Sequence, residues 1–382
     1  MFKLESTRTG TTINQPTGYY CFVPHKIYKK SPEINIDREL LQLIAESERE
    51  LGQLNGITKL LANPELFVAF YVRKEAVLSA QIEGTQCSLD EVIKIDEKTK
   101  QTMPIMEVVN YVAAMDFGLE EIKKLPMSIR LINSIHEKLL KAVRGSERQP
   151  GEFKRQQNWI GPAGCSLNEA VFVPPPPDMM IELMGDLENY YHADDGYPLL
   201  IKAAILHAHF ETIHPYIDGN GRLGRLLTTF MLCEKKILDE PLLYLSLFFK
   251  EYRSDYYDLL MDVRFKGDWE SWIKFFLRGV RKTSIEARET VCELIDLEQQ
   301  HKKILAEKYA KYSLTNKFYD LLCEKPIISI PEAQKRLNTT YPTMKKTFDN
   351  FLEADILAPY DSKKANRTYS YRKYLEILRR GT

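Results

Sequence analysis

Residues 214–225 read HPYIDGNGRLGR. A histidine, a carboxylate, a run of turn residues and two arginines fall within one short segment. Between strands, Asp218-Gly219 and Asn220-Gly221 would mark a hairpin. The flanking runs PLLIKAAILHAHFETIH and RLLTTFMLCEKK are helical in pattern, so the turn instead reverses one helix into the N-terminus of the next. That geometry leaves backbone N–H groups unpaired at the positive end of a helix dipole, which suits an anion. Gly219 and Gly221 let a ligand approach the backbone, with Asn220 between them. Arg222 and Arg225 are three apart and share a helix face, fit for a di- or triphosphate. Asp218 and phosphates share a site comfortably when Mg²⁺ lies between them. His214 precedes the turn and is a candidate general base near neutral pH. The parts together describe transfer of a phosphorus-containing group from a nucleotide.

A zinc cluster of His207, His209 and His214 is the competing reading. On a helix, i and i+2 diverge and i and i+5 do not align, and no H-E-x-x-H is present. His207 and His209 are therefore expected to be packing or surface residues.

The rest of the chain sets the frame. Its 382 residues allow two or three domains, and 44% hydrophobic with 28% charged residues is the composition of a soluble globular protein. Formal charge is zero, so no global field points to nucleic acid or membrane. The residues from Lys311 onward carry 14 Lys+Arg and 8 Asp+Glu, leaving 39 against 45 elsewhere, so a basic C-terminal module follows a mildly acidic body. Six scattered cysteines without a C-x-x-C pair, and a start without a secretory pattern, lead to the expectation of a reduced cytoplasmic setting. No apolar run approaches the ~18 residues of a membrane helix.

Along the chain, an extended arm around YYCFVPHKIY gives way to helical patterning from Asp37. One helix is expected from Pro64 to its stop at Gly84, with more around Met106–Lys123 and Ser128–Leu140. In residues 151–177, QQNWI and AVFVP flank a Gly/Pro/Asn-rich turn, a hairpin signal inside a helical protein. A long charged helix is expected from Ser284 to Tyr309. After residue 310, three short helical patterns and an alternating run around a turn spell a winged helix-turn-helix. The expected fold is mainly α. Its expected parts are an N-terminal region to residue 105, a helical bundle with a β-hairpin flap over 106–283, a connecting helix over 284–310 and a winged helix over 311–382.

The stretch HPYIDGNGRLGR resembles the signature of the Fic family, H-P-F-x-D/E-G-N-G/K-R-x-x-R, which marks protein adenylyltransferases. The single departure is Tyr216 in place of Phe. The aromatic body is kept, and its hydroxyl needs a partner if buried. Residues 151–177 look like the family's flap, which holds a target segment by strand-like pairing. The resemblance covers roughly Met106 to Val280. It implies that His214 deprotonates a Ser, Thr or Tyr hydroxyl of a target protein and that Asp218 holds Mg²⁺. It also implies that Gly219, Asn220, Gly221, Leu223 and Gly224 shape the phosphate cradle, and that Arg222 and Arg225 bind the β- and γ-phosphates of ATP. Tyr257 is assigned to the adenine pocket on the same ground.

SAQIEG, Ser79 to Gly84, raises a second question. Glu83 sits at a helix C-terminus, where the dipole disfavours a carboxylate by ~0.3–1 kcal/mol. An exposed Glu tolerates that cost; a cation from elsewhere would remove it. Ser79 and Glu83 are i, i+4 and share a face. The segment resembles the family's inhibitory S/T-x-x-x-E-G/N helix, which implies that Glu83 pairs with Arg225 and restrains the enzyme. In some relatives the same glutamate also orients water to remove AMP.

Lys335, Arg336, Lys345, Lys346, Lys363, Lys364 and Arg367 place positive charge around the expected recognition helix and wing, which suits DNA phosphates. Protein docking and plain solvation account for the same charges. Two function classes follow: an autoinhibited adenylyltransferase, or a DNA-binding regulator whose Fic-like part senses nucleotide. A different donor, self-modification and a homodimer remain open, and the target is unnamed.

Overall fold

The computed structural model describes residues 4–93, 102–143, 147–162, 164–309, 314–360 and 367–380. Lys363 and Lys364 of the expected wing lie outside the described residues. The fold is mainly helical. Strands β1 (Gly10–Asn14) and β2 (Tyr20–Pro24) pair antiparallel, so the N-terminal arm is itself a hairpin. Helices α1 (Arg38–Thr58), α2 (Pro64–Ile82), α3 (Leu89–Ile93), α4 (Met103–Glu121) and α5 (Ile129–Leu139) follow. Then come α6 (Met180–His192), α7 (Leu199–Ile213), α8 (Asn220–Glu234), α9 (Leu245–Glu251), α10 (Arg253–Lys266) and α11 (Trp269–Tyr309). The C-terminal elements are α12 (Leu314–Glu324), β3 (Ile327–Ser329), α13 (Ile330–Arg336), α14 (Tyr341–Glu353), β4 (Ala358–Pro359), β5 (Thr368–Ser370) and α15 (Arg372–Arg379).

The chain divides into two compact units, one of Met1–Gly52 with Val72–Ser284 and the other of Gln53–Tyr71 with Ile285–Thr382. The divisions fall inside α1, α2 and α11. The expected helix start at Ser284 is thus corrected: α11 runs unbroken through it. Residues 280–309 contain neither Gly nor Pro, so nothing interrupts the backbone ladder there.

In the first unit, α7 is apolar on every side and every residue from Leu200 to Ile213 is buried, as expected of a helix at the centre of a core. It lies against α6, α8 and α10. Trp272 of α11 donates its indole N–H to the Ala204 carbonyl at 2.8 Å, which satisfies its one polar atom inside the core. α5 is amphipathic: Leu131, Ile132, Ile135, His136 and Leu139 are buried at helical spacing, and the Ser128 hydroxyl caps it by accepting from Leu131 N at 3.3 Å.

Residues 151–177 hold less strand than expected. Ile160 and Phe172 form a single bridge, and Leu167–Glu169 is a 3₁₀ turn. The reason lies in the polar side chains of the first run. Asn158 turns inward to other carbonyls, Gln157 Nε2 donates to Pro174 O at 2.9 Å, and Pro174–Pro177 have no N–H to give a ladder. β2 joins this segment through Phe22 N, which donates to Val173 O at 2.9 Å.

The second unit contains α12, α13 and α14 with a three-stranded antiparallel sheet in the order β3-β5-β4. β3 and α15 are additions to the elements read from sequence. Phe318, Phe348 and Phe351 pack with ring centroids 4.7–4.8 Å apart. The Tyr371 hydroxyl meets His301 Nδ1 at 2.7 Å and the Tyr319 hydroxyl at 3.0 Å.

Candidate active site

His214 ends α7 in the left-handed region, with φ 48° and ψ 61°. Gly219 takes φ 79° as the residue before α8, a conformation that costs glycine nothing. Between them the backbone is pinned by side chains. Tyr216 N donates to Asn220 Oδ1 at 2.9 Å, and Asn220 Nδ2 donates back to Tyr216 O at 2.8 Å. So Asn220 acts on the loop, not outward.

The Tyr216 ring is fully buried, and its hydroxyl donates to Asn133 Oδ1 at 2.5 Å, the partner its burial requires. Its ring stacks on His136 at 3.8 Å. His136 in turn accepts from Gly151 N at its Nδ1 and donates from Nε2 to Asp218 O, each at 2.9 Å. That pattern fixes a neutral tautomer, and burial lowers the imidazole to about 4.

The His214 imidazole is 18% exposed. Burial, then the charges of Lys154 and Arg264, lower it to about 3, so it is an unprotonated base at neutral pH. Its Nδ1 lies 3.8 Å from Glu211 Oε2, and burial pushes that carboxyl up to about 7. His207 and His209 are both buried. His207 spans Tyr256 Oη at 2.9 Å and Thr228 Oγ1 at 3.2 Å, and its ring stacks on Trp272. Of the two alternatives for these histidines, packing is the one observed.

Arg222 is 1% exposed, with Asp218 Oδ1 at 3.5 Å and Glu107 Oε2 at 3.6 Å. Its Nε and Nη1 are buried without a hydrogen-bond acceptor among the described residues. Two orphaned donors on a cation fit an anionic ligand. Leu223 is fully buried and its N–H is taken by Gly219 O at 3.0 Å, so it packs the helix and offers no free donor to a phosphate. The Gly224 carbonyl accepts from Thr228 Oγ1 at 3.1 Å.

Arg225 is held from α2. Its Nε donates to Ser79 Oγ at 2.8 Å, and its Nη2 to Ser79 O at 3.1 Å and Glu83 Oε1 at 2.8 Å. Burial works against this guanidinium's charge, but Glu83 and two buried tyrosines raise its pKa above the usual value. A Cβ at Gly221 would collide with Glu83 Oε1, so the glycine makes room for the carboxylate.

Asp218 Oδ1 takes the Gly219 N–H at 2.7 Å, while Oδ2 has Arg148 Nη1 no nearer than 3.8 Å. One oxygen is thus left for a cation. Among the described residues no group of three or more His, Cys, Asp or Glu is arranged to hold a metal, so an ion here needs phosphate oxygens to complete its shell. Tyr257 of α10 is 38% exposed beside Arg253. Its hydroxyl is raised to about 12 by burial and Glu83, with Arg225 opposing, which brings it within electrostatic reach of both partners of the Glu83–Arg225 pair.

Lys154, Asn158, Glu211, His136, Asn133 and Glu107 were not singled out from sequence. The one signal available was the Tyr216 hydroxyl, which had to have a partner.

Comparison with known families matches residues 41–120 to the Fic/DOC family N-terminal domain and residues 126–232 to the Fic/DOC family domain. The chain thus carries a Fic N-terminal domain and a Fic domain over those residues. The second Fic match contains the whole 214–225 loop, and the first contains Ser79, Glu83 and Glu107. A probable protein adenylyltransferase of Aquifex aeolicus is 30% identical over 191 residues, 48% of this chain and 54% of that protein. Protein adenylyltransferase Fic of Drosophila willistoni is 30% identical over 214 residues, 54% of this chain and 39% of that one. This chain therefore spans about half or less of the curated relatives it matches. A crystal structure of a Fic family protein from Desulfovibrio desulfuricans shares the fold, with TM-score 0.58 over 88% of this chain and 97% of that one at 19% identity. No helix among the described residues is long and apolar enough to cross a membrane.

Proposed function

We propose that this chain is an autoinhibited protein adenylyltransferase. The observation that carries the reading is the gathering of His214, Asp218, Arg222 and Arg225 around the N-terminus of α8, with Arg225 already occupied by Glu83. The name shared by its curated relatives supports it.

In this reading Arg222 and Arg225 grip the β- and γ-phosphates of ATP, and Gly219 and Gly221 leave the backbone open to them. Asp218 would hold Mg²⁺, which when bound would supply charge neutralisation on the departing diphosphate. Neutral His214 takes the proton of a target Ser, Thr or Tyr hydroxyl. The hydroxyl oxygen bonds to the α-phosphorus as the bond to the β-phosphate oxygen breaks. AMP is left on the target and pyrophosphate departs. Tyr257 stands at the base side of the nucleotide. Ser79 on α2 and Glu83, one residue past its end, withhold Arg225 until a signal, or the nucleotide itself, displaces the carboxylate.

The test is covalent transfer from α-labelled ATP with Mg²⁺, to the protein itself and to added lysate. Strong labelling by Glu83→Gly, lost in Glu83→Gly/His214→Ala, is expected. No label in any sample would overturn the reading, and labelled UTP in parallel separates another donor from no activity.

A second reading applies to the C-terminal unit. The elements α12 to β5 follow the order of a winged helix, and α14 turns Tyr341, Thr343, Lys345 and Lys346 to solvent. DNA binding there predicts a retarded band that weakens with salt and is lost in Lys345→Glu/Lys346→Glu. Binding that ignores those charges counts against it.

A further inference from the structure

The loop that carries His214 is gripped from outside by residues 154–158. Lys154 Nζ donates to Asn158 Oδ1 at 2.7 Å and to the His214 carbonyl at 3.1 Å, and Lys154 N donates to Pro215 O at 2.9 Å. Asn158 Nδ2 donates to His214 O at 3.1 Å and to Tyr216 O at 2.7 Å. Three consecutive carbonyls, those of His214, Pro215 and Tyr216, are thereby fixed by one short segment.

Two features make this more than filling. His214 is a non-glycine residue at φ 48°, a conformation that persists only where its surroundings over-determine it. Lys154 is 2% exposed, and an ammonium is costly to bury unless its donors are used. Here one donor goes to Asn158 and one to the carbonyl of a non-glycine residue in the left-handed region.

We propose that Lys154, seconded by Asn158, is a positioning residue for His214, holding its carbonyl so that the imidazole stays aimed at the target hydroxyl. The inference rests on the reading of His214 as the base. It also gives the flap-like segment a second duty. The chain that would hold the target is the chain that sets the base, so docking and proton removal are mechanically linked.

Charge acts in the same direction. Burial lowers Lys154 itself to about 7, so its charge is full on the acid side of neutrality; there Lys154 and Arg264 of α10 disfavour protonation of His214, while the Glu211 backbone of α7 favours it. Cys21 of β2 is the titratable group facing Lys154 from the other side. Loss of the Lys154 charge is therefore expected to move the acid limb of the rate profile to higher pH.

The experiment uses the full chain in the Glu83→Gly background with Lys154→Met, Lys154→Arg and Asn158→Ala. Three readouts are taken: label transfer against pH, ATP affinity, and the rate at which diethyl pyrocarbonate modifies His214, read by peptide mass spectrometry. Lys154→Met is expected to lower kcat ~10–100-fold, the cost of a misplaced base. ATP affinity should stay within about two-fold, because the nucleotide groups hang on Asn220 and α8. His214 modification should rise several-fold, and Lys154→Arg should restore most of the rate. An unchanged kcat with unchanged modification overturns the proposal, as does a Lys154→Arg variant no better than Met or a parallel loss of ATP affinity. If Lys154→Met does not fold, Asn158→Ala carries the same expectations. If the parent shows no transfer, or His214→Ala retains it, the base reading has failed separately. The modification rate then decides positioning alone: a rise supports it and no change overturns it.

Discussion

Replacing Glu83 by Gln or Gly should tighten ATP binding, and the structure sets the size of the effect. The pair to be broken is a charge-assisted hydrogen bond of 2.8 Å between a guanidinium 2% exposed and a carboxylate 31% exposed. Such bonds contribute ~1.5–3 kcal/mol, and the partial exposure of Glu83 screens this to about 1–2 kcal/mol. On the proposed reading, the γ-phosphate has to displace Glu83 from Arg225 in the parent protein. Removing the competitor therefore returns that energy to the ligand, a gain of about 5–30-fold in affinity. Glu83→Gln keeps the shape and loses the charge; Glu83→Gly also clears the space beside Gly221, so it should lie at the upper end. Without nucleotide both variants should melt lower than the parent, because Arg225 is left buried with Ser79 as its remaining neutral partner. Titration calorimetry with a non-hydrolysable ATP analogue and Mg²⁺ measures the first effect, and melting curves measure the second. Equal affinity for parent, Glu83→Gln and Glu83→Gly would refute the competition argument, whatever happened to turnover.

Further outcomes follow from the buried groups. His136, His207, His209 and His214 have pKa values lowered to about 4, 3, 3 and 3, mainly by burial. Their stabilisation is complete above the unfolded value near 6.5 and is lost as pH falls toward the folded values. Each costs about 1.4 kcal/mol per pH unit below 6.5, so melting temperature should drop steeply between pH 6.5 and 5; a flat profile there contradicts the burial. Glu211 has the opposite sign, because burial raises it to about 7. Its favourable contribution is full below about 4.5 and is lost as pH rises through 7, so Glu211→Gln should be relatively more stable at pH 8 than at pH 5, by at most about 3 kcal/mol. A pH-independent difference in melting would show that Glu211 ionises normally. Tyr216→Phe, which deletes the hydroxyl on Asn133, should cost about 1 kcal/mol in chemical denaturation and leave ATP affinity unchanged.

The 214–225 loop was plain in the sequence because its chemistry is contiguous: histidine, carboxylate, turn and arginines lie within a dozen residues. Glu83 was legible for a different reason, since a carboxylate at a helix C-terminus asks for a cation and Ser79 lies one turn before it. The supporting residues could not be found this way. Lys154, Asn133 and His136 meet the loop across 60, 83 and 82 positions of chain, and each alone is an ordinary polar residue. Residues 151–177 hold less strand than their pattern suggests for a related reason. Alternation in QQNWI has the period of a strand, yet Asn158 uses its amide on the loop, and side-chain hydrogen bonds outrank ladder pairing there. Helix α11 shows the converse: a change of composition at 284 is no break when the backbone has no cause to stop.

Arg222 has a consequence for how the protein is handled at the bench. Arg222 Nε and Nη1 are buried without a hydrogen-bond acceptor among the described residues, so an anion that answers them would stabilise the fold by on the order of 1–3 kcal/mol. Buffer anions are therefore not inert here. Sulfate, phosphate or pyrophosphate at millimolar levels should settle on α8 and lift the melting point where chloride does not. A preparation stored in phosphate would then look sturdier, and bind nucleotide more weakly, than the same chain dialysed into a chloride buffer.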